Sequence, residues 1–266
     1  MYLADYHVHS TCSPDGHQTM AQAAEAAVRQ GLNELCITDH VDTLYWDDFR
    51  PRWDFDWDEA RRQFREAQAL WGDRITLRLG AELGDAQYGF DRAVHMMDGA
   101  PVDFVIGSVH LGGKKFGNMD LYYIEKGDEA YYDSVIDSYL DSVLELARWG
   151  QFQVLGHLTL PLRYINEHHG EHMTFRRHMD RVEEVLRTVI PKGVGIECNT
   201  NRGNEPLPGP GSSPWAVTPT GPGTWAASSG SARSCCGNAA SAILPHLNRA
   251  SRGFRPCEPP ERSIAS

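Results

Sequence analysis

The sequence lacks any apolar run that approaches the length of a membrane span, and its amino terminus has no basic region followed by an apolar core. We therefore expect a protein of the cytoplasm that does not bind membranes. Its 25 Lys and Arg residues are outnumbered by 36 Asp and Glu residues, which leaves a net charge of −11. This acidic balance argues against a nucleic-acid partner, although bound metal ions would offset some acidic side chains locally.

Cysteine is also scarce and is not arranged as a disulfide framework. Of the six cysteines, Cys12, Cys36 and Cys198 are scattered, and the adjacent Cys235 and Cys236 lack the spacing of a zinc ribbon. Reduced thiols are therefore expected. At 266 residues and 41% hydrophobic, the chain can bury a full core, which indicates a soluble enzyme domain.

The sequence does contain a series of short apolar segments that each lead into a potential metal ligand. The first, residues 2–6, runs into His7 and His9, which lie two apart and so face the same side of a strand. Agreement among successive strand ends predicts a multinuclear metal site. The other ends are Asp39 and His40 after 34–38, Glu82 after 75–79, His110 after 104–109, His157 after 152–156, and Glu197 with Cys198.

Helical patterns lie between these segments. Apolar residues recur at helical spacing in residues 19–30, 57–71, 128–149 and 175–190. Strands and helices alternate at least six times, which favours parallel strands joined by right-handed crossovers. Because the potential ligands lie at the carboxyl ends of the strands, an α/β fold of the β/α barrel type is predicted.

Asp15 is a candidate ligand outside the strand ends. It lies in the loop of residues 10–16, where an aspartate is also a common turn former, and His17 is its substitute. We interpret the isolated histidines elsewhere as surface or hydrogen-bonded residues. They are His95, His169, His178 and His246.

Five short motifs follow one another in a fixed order: Asp5-Tyr6-His7-Val8-His9-Ser10, Ile37-Thr38-Asp39-His40, Gly80-Ala81-Glu82, Gly107-Ser108-Val109-His110 and Val154-Leu155-Gly156-His157. In order and spacing they resemble the motifs of the PHP (polymerase and histidinol phosphatase) family. Within that family the chain is similar to the stand-alone histidinol-phosphatases in length and in residues 154–164. The resemblance covers about residues 1–210.

The resemblance implies a distorted (β/α)7 barrel with two or three divalent metal ions at its mouth. It also implies a phosphoric monoester hydrolase that converts L-histidinol phosphate to L-histidinol in histidine biosynthesis. Closely spaced ions would provide hydroxide at neutral pH, and zinc, manganese and iron all suit the ligand types. The implied catalytic and metal-binding sets are His7, His9 and Glu82 for one ion, Glu82, His110 and His157 for a second, and Asp15 and His40 for a third.

A cationic side chain should complete the pocket for a small-molecule phosphate ester. Arg163, just beyond His157, and Arg202 are the candidates for substrate binding. Tyr45, Trp46 and Asp42 follow His40 in a loop that could contact the rest of the substrate or pack on the barrel rim. The sequence predicts no oligomeric state.

The carboxyl-terminal region departs from the family pattern. The family's last strand ends in Ser-Asp-Ala-His, but no aspartate follows Asp180 in this chain. Residues 211–266 are rich in Gly, Ser, Pro, Ala and Arg without any strand or helix period. We therefore divide the chain into a barrel of residues 1–210, whose last β/α unit is missing or disrupted, and a tail of residues 211–266.

Two explanations of the tail remain open. One is a natural disordered segment. The other is a shifted reading frame, because the degeneracy of the codons for residues 215–226 permits a hidden peptide that contains Gly-Ser-Asp-Ala-His. Loss of the family's last ligands would also allow a metal-binding protein without catalytic activity. A PHP phosphodiesterase or exonuclease is the other alternative, although the acidic chain argues against a nucleic-acid groove.

Overall fold

The computed structural model describes residues 2–197 and 199, which form a parallel sheet of six strands flanked by helices. The strands are Ala4–Val8 (β1), Glu34–His40 (β2), Thr76–Gly84 (β3), Phe104–Ser108 (β4), Val154–Leu155 (β5) and Gly195–Ile196 (β6). The α-helices are Met20–Gln30 (α1), Trp57–Trp71 (α2), Phe90–Met97 (α3), Glu129–Trp149 (α4), Leu160–His169 (α5) and Met179–Val189 (α6). None of the helices among the described residues combines the length and the apolar composition of a membrane span.

The strands follow one another across the sheet in chain order, and every neighbouring pair is parallel. All six carboxyl ends therefore lie at one edge, where an α/β barrel collects its functional side chains. The sheet is curled, because His7 in β1 contacts Glu197 just after β6. This agrees with the predicted β/α barrel over five β/α units and a sixth strand. The predicted seventh unit, the tail of residues 211–266, Cys198 and Arg202 lie outside the described residues.

The helices have the ends and buried faces that the sequence favours. Helix α1 starts with a capping box between Thr19 and Gln22 and ends at Gly31, whose φ of 78° suits glycine. Helix α4 buries the predicted apolar face, and its Tyr139 donates a hydrogen bond to the carbonyl oxygen of His157 at 3.2 Å. The longest helix thus supports a strand end that carries a predicted ligand.

Several element predictions needed correction. Residues 175–190 are a short 3-10 helix, Phe175–His178, followed by α6. Helices α3 and α5 were not predicted at all. His40 and Glu82 lie inside β2 and β3 instead of just beyond them, because these strands are longer than the apolar segments that predicted them.

Candidate metal centre

Glu82 lies near the end of β3, and only 1% of its side chain is exposed. Its Oε2 atom faces three imidazoles. It lies 3.1 Å from Nε2 of His7 and 3.4 Å from Nε2 of both His9 and His40. Asp15 extends this side, with Oδ2 3.7 Å from Nε2 of His40. Side chains from β1, β2, β3 and the loop after β1 therefore meet around one carboxylate oxygen.

The other oxygen of Glu82 faces two further imidazoles. Oε1 lies 3.2 Å from Nε2 of His110 and 2.9 Å from Nε2 of His157. His110 follows β4, and His157 follows β5. The carboxylate, which β3 supplies, thus lies between two groups of histidines that come from β1, β2, β4 and β5.

The structure brings all seven predicted ligands together in overlapping groups. Within each group, one candidate ligand atom per residue lies within 4.8 Å of the others. Of the four such groups among the described residues, three coincide with the ion sites that the family resemblance implies, with His9 added to the third. They are His7, His9 and Glu82; His9, Asp15 and His40; and Glu82, His110 and His157.

The residues fit divalent cations. The buried Oε2 atom of Glu82 has no hydrogen-bond partner among the described residues, although three imidazole nitrogens surround it. A buried carboxylate without a hydrogen bond is costly, and a cation between it and the nitrogens would remove that cost. Mixed imidazole and carboxylate ligands suit zinc, manganese and iron.

The electrostatics of the cluster also favour bound positive charge. Burial opposes a charge on His7, but Glu197 and Glu82 outweigh it and raise the pKa of the imidazole well above 6.5. Burial likewise opposes a charge on His40, yet Glu82 and its acidic neighbours raise that pKa to about 10. Burial and the nearby His40 lower the pKa of His9 to about 3. Without metal, protons therefore occupy part of the cluster that cations would occupy.

Asp42 forms the fourth candidate group with His40 and His110, although the sequence suggested it only as a substrate contact or a residue that packs on the barrel rim. Its Oδ1 atom lies 3.4 Å from Nδ1 of His40 and 3.9 Å from Nδ1 of His110, and its Oδ2 atom accepts a hydrogen bond from Trp46 at 2.8 Å. Two ring nitrogens that face away from Glu82 therefore share one acidic neighbour. The available signal was its position two residues after His40, on the same side of an extended chain.

Asp39 shapes the loop that carries Asp15. It accepts hydrogen bonds from the backbone and hydroxyl of Ser10 and from the hydroxyl of Ser13. The Ser13 hydroxyl also accepts a hydrogen bond from the backbone N–H of His40 at 2.8 Å. The strand end at Asp39 therefore orients the loop after β1, while its neighbour His40 faces Glu82.

Arg163 lies in the first half of α5 and donates a hydrogen bond to Oδ1 of Asn199 at 3.3 Å. Asn199 in turn donates to Oε1 of Glu197 at 3.1 Å. The first of the two arginines proposed for the phosphate is thus connected to the cluster through two side chains. Arg202, the second, lies outside the described residues.

The isolated histidines have other surroundings, as expected. His95 packs its ring edge against Trp53, His169 hydrogen-bonds a backbone carbonyl, and His178 lies between two aspartates of α4. In the described part of the chain none of these belongs to a candidate ion group. His246 lies outside the described residues.

Comparison with known proteins gives a family match and several relatives. The model of the family described as PHP domain matches residues 5–201. The histidinol-phosphatase of Lactococcus lactis is 28% identical over 213 residues, which cover 77% of this chain and 74% of the relative. A probable histidinol-phosphatase of Deinococcus radiodurans is 29% identical over 210 residues, which cover 77% of this chain and 76% of the relative.

Two solved structures are similar in fold. The first is the histidinol phosphate phosphatase of Lactococcus lactis in complex with zinc, L-histidinol and phosphate. It has a TM-score of 0.58 at 25% identity, with 74% of this chain and 73% of that chain covered. The second is a putative histidinol phosphatase from Listeria monocytogenes, with a TM-score of 0.58 at 15% identity and coverage of 74% and 82%. The second similarity concerns the fold alone.

Proposed function

This chain belongs to the PHP domain family, and we propose that it is a metal-dependent phosphomonoesterase that hydrolyses L-histidinol phosphate to L-histidinol and phosphate. The observation that carries the proposal is the position of Glu82, whose two oxygens face five imidazole nitrogens at 3.4 Å or less. The names of the relatives support L-histidinol phosphate as the substrate, and from that substrate we infer a role in histidine biosynthesis.

Two or three divalent ions would be held by the seven clustered side chains. Glu82 would contribute one oxygen to the group of His7 and His9 and the other to the group of His110 and His157. When bound, such ions make water acidic enough to supply hydroxide at neutral pH and withdraw charge from phosphate oxygens. Zinc, manganese and iron are all compatible with the ligands.

The remaining residues would bind and orient the ester. Arg163 offers a planar cation suited to two phosphate oxygens, and its hydrogen bond to Asn199 restrains the side chain. Trp46, whose ring edge packs on His40 at a centroid distance of 4.8 Å, gives the mouth of the barrel an apolar wall beside the cluster. An apolar wall excludes water from one side of the site.

The test is a phosphate-release assay on the full chain. The protein is stripped of metal with a chelator, reloaded separately with zinc, manganese or iron, and supplied with L-histidinol phosphate or with a phosphodiester of matched leaving group. We expect metal-dependent release of phosphate from the monoester. Preference for the diester would indicate a phosphodiesterase, and metal binding without any phosphate release would indicate a binding protein; either result contradicts the proposal.

A further inference from the structure

Glu197 is a fully buried carboxylate at the cluster that the predicted ion groups do not include. It follows β6, and its side chain is 0% exposed. Its Oε1 atom lies 2.7 Å from Nδ1 of His7, while Oε2 accepts a hydrogen bond from the backbone N–H of His157 at 2.7 Å. One carboxylate therefore contacts residues from two of the predicted ion groups.

The contact with Glu197 determines which ring nitrogen of His7 is available to ligate a metal ion. A carboxylate at neutral pH only accepts hydrogen bonds, so Nδ1 of His7 must carry a proton to donate. In the neutral ring the lone pair then lies on Nε2, the nitrogen that faces Glu82 at 3.1 Å. Glu197 thus selects the tautomer that can ligate an ion on the Glu82 side.

The Oε2 atom of Glu197 restrains the group that contains His157. The backbone N–H of His157 has Glu197 as its partner, so the chain leaves β5 at a fixed position relative to β6. The ring of His157 then reaches Glu82 with Nε2 at 2.9 Å. Asn199 adds a third contact by donating to Oε1 at 3.1 Å, and it also accepts from Arg163.

We propose that Glu197 is the positioning residue of the centre, which holds His7 with Nε2 towards the ions and couples that orientation to His157 and, through Asn199, to Arg163. Outer partners of this kind fix the orientation of metal-ligating histidines and raise their basicity. The inference rests on the proposed metal-dependent function, but its test reads metal affinity and the state of the His7 ring, so the two can fail separately.

The substitution Glu197→Gln tests the role with little change in shape. A glutamine has one acceptor and one donor where Glu197 presents two acceptors. If its NH₂ group faces His157, two donors meet; if it faces His7, the proton moves to Nε2, which can then no longer ligate. We expect zinc affinity, measured by chelator competition on the full chain, to fall on the order of 10- to 100-fold.

Glu34→Gln is the matched control. Glu34 is also a buried glutamate, but it lies at the start of β2 and accepts hydrogen bonds from Tyr2 and Tyr6, away from the cluster. We expect this variant to lose stability while its zinc affinity stays that of the wild type. Equal zinc affinities for Glu197→Gln and the wild type would overturn the proposal.

A measurement on the wild type tests the proposal even if the Glu197→Gln variant does not fold. In the zinc-loaded protein labelled with ¹⁵N-histidine, we expect His7 to carry its proton on Nδ1, with slow exchange because the buried Glu197 accepts it. The His7 signal is assigned by its absence from His7→Gln. A His7 ring that carries its proton on Nε2, or that ligates through Nδ1, would also overturn the proposal, whatever the phosphatase assay gives.

Discussion

The Oδ1 atom of Asp42 lies 3.4 Å from Nδ1 of His40, while Nε2 of the same ring faces Glu82 at 3.4 Å. The imidazole thus lies between two buried carboxylates, one near each nitrogen. Glu197 and Glu82 flank His7 as well, but here Nδ1 makes a hydrogen bond to Glu197 at 2.7 Å. Acidic residues therefore lie both at the centre of the cluster, as Glu82, and on its outer side, as Asp42 and Glu197.

The position of Asp42 depends on the absence of a side chain at Gly84. A Cβ atom at Gly84 would lie 1.8 Å from Oδ1 of Asp42 and 3.2 Å from Nδ1 of His110. We expect Gly84→Ala to displace Asp42, to destabilise the protein by about 1–3 kcal/mol and to weaken zinc binding. Unfolding in urea and chelator competition measure these effects.

Gly112→Ala is the control for this substitution, because its nearest contact is the flexible Met119 Cε at 3.3 Å. We expect this variant to unfold and bind zinc as the wild type does. A Gly84→Ala protein that matched it in both measurements would show that Asp42 can move without consequence.

His157→Ala should remove one side of the cluster. Its Nε2 atom is 2.9 Å from Glu82 Oε1, so the second predicted ion would lose a ligand. We expect less bound metal by elemental analysis. An ion that contributes several kcal/mol to the transition state corresponds to a drop of about 100-fold or more in phosphate release.

The matched variant is His95→Ala, which removes an exposed imidazole packed on Trp53. It should retain the wild-type metal content and turnover. Unchanged metal content and turnover in His157→Ala would contradict the assignment of the cluster.

The stability of the metal-free protein should depend on pH through Glu34. Burial alone would raise the pKa of this carboxyl, but hydrogen bonds from Tyr2 and Tyr6 and the Arg78 guanidinium outweigh it and lower the pKa below 4.5. A lowered folded-state pKa contributes stability that is present above the ordinary pKa and is lost as pH falls through the folded value.

We therefore expect Glu34→Gln to be less stable than the wild type by about 1–3 kcal/mol at pH 7, with the difference shrinking as pH falls below the ordinary carboxyl value. Urea unfolding from pH 7 to pH 3, in the presence of a chelator, measures it. A difference that stayed constant over this range would mean that folding does not shift the pKa of Glu34, which would contradict the prediction.

The tail makes a prediction that nucleotide sequencing can check. If residues 211–266 arise from a shifted frame, the codons for residues 215–226 should read Gly-Ser-Asp-Ala-His in the neighbouring frame, and restoring that frame should increase metal-dependent phosphatase activity. Third bases that forbid this peptide would instead identify the tail as the natural sequence. Both readouts are independent of the structure, because this segment lies outside the described residues.

Much of the barrel could be predicted because its signals are local. The amphipathic pattern of residues 57–71 matches α2 from its first residue to its last. The spacing of His7 and His9 along a strand is by itself enough to predict that both side chains face the same side. Helix α3 was missed because its eight residues give too few turns to establish a period. Helix α5 was missed because it starts three residues after a predicted ligand and carries a proline in its first turn.

The supporting carboxylates were harder to predict because their contacts are not local. Glu197 was recognised as an acidic strand end, but its partner His7 is 190 residues away, and no spacing rule relates the two. Asp42 was expected to face a substrate because it lies in a loop. Which of two faces a loop residue presents depends on packing, here on the space left by Gly84.

The separation between His7 and Glu197 also has a consequence during translation. A ribosome that adds 5–20 residues per second leaves roughly 10–40 s between the two residues. For that interval the nascent chain carries the His7 and His9 pair without the side chain that orients His7. The metal centre is thus among the last parts of the barrel to form. A metal ion that bound His7 and His9 earlier would do so before Glu197 could fix the orientation of the His7 ring.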